Sequence, residues 1–360
     1  MKVNEMNQLP LGVIEGFYGE PWSWQTRADT ARFLAKAGYS FYLYAPKSDP
    51  FFRRRWREPF PRDLFAHLSE LREVCKSTGI GFGVGFSPYE IYLSFDDTAK
   101  KQLEARIDTF NSLEIDHLAV LFDDMKGAPG LARTQAEIMH WIAKRSSAKK
   151  IVFCPTYYSL DPVLDRIFGE RPGDYLQELG KSLDPEIGVF WTGEEICSKS
   201  YSTEHIRAVR EALGRKPVLW DNYPVNDGPK MCKFLHLKPF TGRPKELNSE
   251  LKEHVVNPMN QSLLSRIPML TLAELYRSEE PYDPMSAWRR AVHALASADL
   301  GALLERDLLL FSETGLDGLS EEQKAQLLQE YGNIQEPMAH EVVTWLEGRT
   351  VVTREVFLNQ

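Results

Sequence analysis

Several classes of protein are excluded by what this sequence has little of. Only four cysteines occur in 360 residues, Cys75, Cys154, Cys197 and Cys232. They form no C-x-x-C pair, and no histidine stands at zinc-ligand spacing from them, which excludes a disulfide scaffold and a structural zinc site. Cys75 and Cys154 sit in apolar patterns and read as core thiols. There is no H-E-x-x-H helix and no G-x-x-x-x-G-K-[ST] loop, so metal-assisted proteolysis and P-loop phosphate binding have no support. No run of about 18 apolar residues exists, so no membrane-spanning helix is expected. Basic residues are outnumbered, 43 Lys and Arg against 51 Asp and Glu, for a formal charge of −8. That balance disfavours nucleic acid as a partner, because phosphate binding needs a net basic face. The opening segment MKVNEMNQLP has no apolar leader core, and with unpaired thiols the expectation is a reducing, cytoplasmic setting.

What is present is regular. Apolar runs of strand length alternate with helical patterns: Leu11–Glu15, Ser40–Ala45, Gly81–Phe86, His117–Phe122, Ile151–Cys154, Gly188–Trp191, Pro217–Asp221 and His254–Asn257. Helices are expected over Trp24–Ala37, Arg62–Thr78, Thr98–Leu113, Leu131–Ser147, Asp174–Ser182, Thr203–Leu213 and Ser262–Arg277, with Gly38 and Gly79 as stops for the first two. Eight such units over about 265 residues predict an α/β fold, a (β/α)8 barrel. Near-continuous apolar strands fit parallel strands buried on both faces. A doubly wound open sheet is the alternative, but no Gly-rich phosphate loop follows the first strand. Gly81, Gly83 and Gly85 alternate instead, as expected where a strand is thinned for close packing. After about Pro281 the strand runs stop and helical patterns follow near Met285–Ala296, Ala302–Phe311, Glu321–Tyr331 and Pro337–Glu347. The division is therefore residues 1–280 as barrel and 281–360 as a small C-terminal helical bundle, with Trp288 and Trp345 as core anchors. That bundle has two candidate uses, a homodimer contact or a cover for the site.

In such a barrel the chemistry lies at the C-terminal strand ends. These ends read Glu15-Gly16-Phe17-Tyr18-Gly19, Tyr44-Ala45-Pro46-Lys47-Ser48-Asp49, Asp123-Asp124, Pro155-Thr156-Tyr157-Tyr158, Trp191-Thr192-Gly193, Trp220-Asp221-Asn222 with Asn226-Asp227, and Asn257. Carboxylates, amides and aromatics suit a sugar: rings pack on pyranose C–H faces while carboxylates and amides hold hydroxyls. The pair Asp123-Asp124 ends an apolar strand. Like charges this close are expected to raise one pKa and keep one carboxyl protonated near neutrality, as a general acid requires. By contrast Asp96-Asp97 precedes a helix and reads as its cap. Arg53, Arg54, Arg55 and Arg57 read either as a solvated loop or as part of a site mouth.

Seven blocks in order carry a resemblance: Gly12–Gly19 with Pro21-Trp22, Tyr42–Pro50 (YLYAPKSDP), Leu121–Asp124, Cys154–Tyr158, Trp191–Gly193, Trp220–Asp227 and Asn257-Pro258. Over residues 11–290 the chain resembles glycoside hydrolase family 84, the O-GlcNAcase and bacterial β-N-acetylglucosaminidase family. The resemblance implies that Asp123 polarises the 2-acetamido group of the substrate and Asp124 is general acid, then general base. It implies that Gly16, Lys47, Asn222, Asp227 and Asn257 hold sugar hydroxyls, that Tyr158 bonds the acetamido oxygen, and that Trp220 walls the acetamido pocket. The family often has Asp where Ser48 stands, and Val225–Pro229 varies, which leaves the aglycone open. No metal or organic cofactor is implied, and the partner is a GlcNAc-containing glycoside or glycoprotein. Adjacent residues on a strand are expected to point to opposite sides, which leaves the nucleophile to the substrate's own N-acetyl oxygen, through an oxazoline with retention. The alternatives are a GlcNAc-binding sensor without turnover and a related hexosaminidase or chitinase, although those usually carry Asp-Glu or Asp-x-Glu.

Overall fold

The computed structural model describes residues 8–359. Most of the opening segment, on which the reading of no leader rests, lies outside the described residues. Eight parallel strands close into a barrel in sequence order: β1 Leu11–Ile14, β2 Phe41–Tyr44, β3 Gly81–Phe86, β4 His117–Leu121, β5 Lys150–Cys154, β6 Gly188–Trp191, β7 Val218–Asp221 and β8 Glu253–Val256. Closure is through β1 and β8, with Val13 opposite both Tyr42 on β2 and Val256 on β8. The open-sheet alternative is thereby excluded. Each strand carries only four to six residues, nearly all buried, as expected of strands covered on both faces. At Gly83 a Cβ would meet the His117 carbonyl oxygen at 2.6 Å and Leu43 Cδ2 at 2.5 Å. The glycine therefore lets β2, β3 and β4 approach, as the alternating pattern suggests.

Helices return the chain between strands. Trp24–Ala37 and Arg62–Thr78 both stop at a left-handed glycine, Gly38 and Gly79. Asp96 caps the helix Asp97–Ser112, accepting from the Thr98 and Ala99 N–H groups at 2.9 Å. A short helix, Pro162–Phe168, was not anticipated. Asp161 caps it by accepting from the Val163 N–H, and Pro162 fills its first turn, the combination that marks a helix start.

Beyond the barrel lie helices Pro284–Leu295, Ala298–Leu309, Glu321–Gly332, Pro337–Leu346 and Arg354–Asn359. Their core contains Trp288, Leu304, Phe311, Tyr331 and Trp345, together with Leu235, Leu237, Met259, Leu264 and Ile267 from the barrel side. Both tryptophans also tie the two parts together: Trp288 Nε1 donates to Leu237 O at 2.7 Å and Trp345 Nε1 to Cys232 O at 3.1 Å. Glu341 makes a third tie. Its carboxylate accepts from the backbone N–H of Leu263 and of Leu264 and from Ser262 Oγ, at the open N-terminus of the helix Ser262–Arg277. Glu341→Ala leaves those donors unpaired and is expected to cost about 1–3 kcal/mol of stability. A denaturant midpoint unchanged from wild type would show that water replaces the carboxylate without loss.

Candidate active site

The barrel mouth opens into one cavity of about 340 Å³. Gly16, Lys47, Asp123, Asp124, Tyr158, Trp220, Asn222, Asp227 and Asn257, the nine residues singled out in the sequence, all line it. Strand ends bring them there from β1, β2, β4, β5, β7 and β8.

Asp123 and Asp124 do not diverge as strand alternation suggests. Asp124 adopts φ +58°, a left-handed conformation that few residues other than glycine take readily. This turns the chain out of the extended pattern, and both carboxylates reach Lys47. Lys47 Nζ donates to Asp123 Oδ2 in a short contact and to Asp124 Oδ2 at 3.3 Å. The pair thus stands side by side on a common cation. Tyr18, named in the sequence only as a strand-end residue, donates its hydroxyl to Asp124 Oδ2 at 2.6 Å. The other oxygen of Asp123, Oδ1, is buried and has no hydrogen-bond partner.

The expected upward shift within the pair is not found at Asp124. Burial pushes its pKa up, but Lys47, Arg53 and the Tyr18 hydroxyl outweigh burial and hold it below the ordinary aspartate value. The like-charge argument omits the cations that the fold brings to Asp124 from the end of β2 and the segment after it. Asp227 moves the other way. Burial raises it to about 6, opposed by the Tyr18 N–H that it accepts at 2.9 Å.

Asn222 is bonded within the protein through both ends of its amide. Its Oδ1 accepts from Trp220 Nε1 at 2.8 Å and from Asn257 Nδ2 at 3.0 Å, and its Nδ2 donates to Ile196 O at 2.8 Å. Both acceptor sites are occupied, leaving a single N–H for a ligand. Asn257 Oδ1 in turn accepts the Gly16 N–H at 3.2 Å. These bonds form a chain that fixes the Trp220 ring, which also packs edge-on against Phe190 at 5.1 Å. A Cβ at Gly16 would lie 2.8 Å from that ring, so the glycine allows β1 to approach Trp220.

Two strand-end carboxylates have structural roles instead. Glu15 is fully buried and takes Arg27 Nε and Nη2, each at 2.8 Å, plus the Tyr42 hydroxyl. Asp221 takes Arg243 and His254. Arg53 and Arg54 line the cavity, as the site-mouth reading of the arginine cluster has it, and residues that the sequence gave no site role join them: Tyr89, then Leu164, Ile167 and Phe168 from the short helix, Ile196 and Cys197, and Cys154, which is both a core thiol and a lining residue. The Asp161-Pro162 helix start was the available signal for the apolar group.

A closed (β/α)8 barrel whose strand ends gather two adjacent carboxylates, amides and an indole in one cavity is an arrangement that suits the glycoside hydrolase class. The β-N-acetylglucosaminidase (NAGidase) model matches residues 11–309, and the chain belongs to that family, glycoside hydrolase family 84. The protein O-GlcNAcases of Mus musculus and Rattus norvegicus are each 32% identical over 278 residues, covering 74% of this chain. The chain spans about 30% of the length of these relatives. Among solved structures, a Thermobaculum terrenum O-GlcNAc hydrolase mutant superposes with TM-score 0.78 at 30% identity, covering 94% of this chain and 80% of that one. CpGH84B follows with TM-score 0.73 at 25% identity, covering 98% and 65%.

Proposed function

We propose that the chain is a retaining exo-β-N-acetylglucosaminidase that removes terminal β-linked GlcNAc with help from the substrate's own acetamido group. The carrying observation is Asp123 Oδ1, a buried acceptor with no partner inside the cavity. Buried acceptors are nearly always paired, and an amide N–H from the ligand fits this one. With that N–H held, the acetamido oxygen attacks C1 while the bond from C1 to the leaving oxygen breaks. Asp124 gives its proton to that oxygen. Asp123 stabilises the charge developing on the nitrogen of the oxazoline. Water then attacks C1, its proton passes to Asp124, and the C1–O bond of the oxazoline opens to regenerate the amide. Two displacements retain the β configuration.

The side-by-side placement of the carboxylates on Lys47 also supports this reading. A protein nucleophile would need the second carboxylate across the scissile bond from the acid. Tyr158 is assigned to the acetamido oxygen and Trp220 to the wall of its pocket. Gly16, Lys47, Asp227, Asn257 and the remaining Asn222 N–H are assigned to hydroxyls. Residues 1–280 are the catalytic barrel in this proposal, and 281–360 are built onto it through the second core. Terminal GlcNAc on glycoproteins is the substrate class suggested by the named relatives, and a cytoplasmic setting is kept as part of the proposal.

The test is hydrolysis of an aryl 2-acetamido-β-glucoside beside the matching aryl β-glucoside and the galacto epimer. Cleavage of the first alone is expected. Equal rates on the substrate lacking the N-acetyl group would remove the substrate-assisted reading, and tight binding of N-acetylglucosamine without any turnover would favour a sensor.

Asp227 gives a pH prediction. Its carboxylate is the charged acceptor for sugar hydroxyls, and charge-assisted bonds contribute about 1.5–3 kcal/mol. Protonation on going below about pH 6 removes that charge, so N-acetylglucosamine is expected to bind roughly tenfold more weakly at pH 4.5 than at pH 7. Asp227→Asn should bind weakly at both values and lose the pH dependence. Calorimetric titration checks both.

A further inference from the structure

Four arginines fall within five positions after β2, and the fold separates them. Arg55 is exposed and pairs with Glu58, while Arg57 reaches Gln102. Arg53 turns inward. Its side chain is 7% exposed and it lines the catalytic cavity. Its Nε and Nη1 are buried without a hydrogen-bond partner. Its nearest anion is Asp124, with Nη1 3.9 Å from Oδ2. A guanidinium held this way is costly, because removing a cation from water is offset only by close pairing. Here the pairing stops about 1 Å short of a charge-assisted bond.

Asp124 Oδ2 is occupied elsewhere in this state. It accepts the Tyr18 hydroxyl at 2.6 Å and faces Lys47 at 3.3 Å. The carboxylate therefore has two sets of donors, one engaged and one waiting. When a sugar occupies the cavity, a carboxyl that reaches for the leaving oxygen must exchange at least some of its present bonds.

We propose that Arg53 is a positioning residue for Asp124: it takes the Asp124 carboxylate in a charge-assisted hydrogen bond after the proton has gone to the leaving oxygen, and holds it for the water step. This rests on the reading of Asp124 as acid and base. The step adds no bond making at Arg53, which keeps its proton throughout. The unpaired Nε and Nη1 are explained as donors whose acceptor arrives only during turnover.

The groups facing Asp124 are Tyr18 from the β1 loop, Lys47 at the end of β2, Arg53 after it, Asp123 on its own strand end, the Cys154 thiol at the end of β5, and Tyr158 and Asp227 across the cavity. Arg53 is one of the two cations that hold Asp124 low. The experiment compares Arg53→Met and Arg53→Lys with the wild type. The Asp124 carboxyl is followed by carbon NMR of labelled aspartate, assigned by its disappearance in Asp124→Asn. In Arg53→Met the Asp124 titration is expected to move up by about one pH unit, with kcat on an activated aryl glycoside falling about tenfold. In Arg53→Lys the charge remains, so the titration should stay near wild type. The planar fork is lost, however, so kcat still falls.

An unmoved Asp124 titration in a folded Arg53→Met protein overturns the proposal. So does wild-type kcat in Arg53→Lys, which keeps the test open if the methionine variant does not fold. A wild type that cleaves no aryl β-N-acetylglucosaminide defeats the functional reading itself, a result distinct from either.

Discussion

Asp124→Asn is expected to lower kcat/KM by about 10²–10⁴-fold on a substrate with a poor leaving group, the usual contribution of a positioned acid. On an activated aryl glycoside the loss in the glycosylation step should be much smaller, because that aglycone departs with little protonation. The asymmetry is the informative part. Asparagine matches aspartate in shape and can still accept the Tyr18 hydroxyl now found at 2.6 Å, so the cavity should survive and only proton transfer should be lost. The charge environment sharpens the expectation. Lys47, Arg53 and the Tyr18 hydroxyl hold Asp124 below the ordinary aspartate pKa against the effect of burial, so the unliganded protein carries it ionised at neutrality. In the proposed mechanism Asp124 must therefore take up a proton from solvent as the sugar binds, at the expense of its bonds to Lys47 and Tyr18. Equal losses on the two substrates in a folded variant would show that Asp124 serves binding and not proton transfer. Rates on a matched pair of leaving groups decide it.

Much of this molecule was legible in the chain because buried parallel strands leave a plain signature. Leu118-Ala119-Val120-Leu121-Phe122 has no polar residue until Asp123, since both faces of β4 are covered. Helix stops were equally direct where only glycine takes the left-handed turn, as at Gly38 and Gly79. The cavity residues could be found because barrel topology places everything after a strand's last apolar residue at the same end. What was not legible depends on partners brought from elsewhere in the chain. Nothing local distinguishes Arg53 from Arg55, yet one is buried beside Asp124 and the other is in solvent. Asp123-Asp124 alone predicts mutual repulsion, and only the fold supplies Lys47 and Arg53. Asn222 stands at a strand end like any sugar ligand, and only the fold shows that Trp220 and Asn257 take its carbonyl and leave one N–H free. Glu15 and Asp221 stand at strand ends like Asp123 and Asp124, but each is paired to a buried arginine, Arg27 and Arg243.

Asp221→Ala should accordingly be a folding mutation and not a catalytic one, costing about 3–5 kcal/mol, the range for removing one partner of a buried pair. Asp221 is fully buried. Arg243 Nη2 donates to its Oδ1 at 2.6 Å, while Arg243 Nε and His254 Nε2 lie 2.9 Å from its Oδ2. Alanine leaves the Arg243 guanidinium buried among Tyr201, Tyr223 and Phe240 with its charge uncompensated. Replacing both members by apolar residues, Asp221→Leu with Arg243→Met, removes that penalty and should recover much of the loss. The pH dependence has a definite sign. Burial raises the Asp221 pKa, but Arg243 and the His254 hydrogen bond prevail and hold it below its ordinary value. A depressed folded pKa gives stability that is full above the unfolded value of about 3.9 and is lost as pH falls through the folded one. The gap between wild type and Asp221→Ala should therefore be constant from neutrality down to about pH 5 and close only in stronger acid. Urea unfolding at several pH values measures it. A gap under 1 kcal/mol at neutrality would mean that water reaches Arg243 and replaces the lost carboxylate.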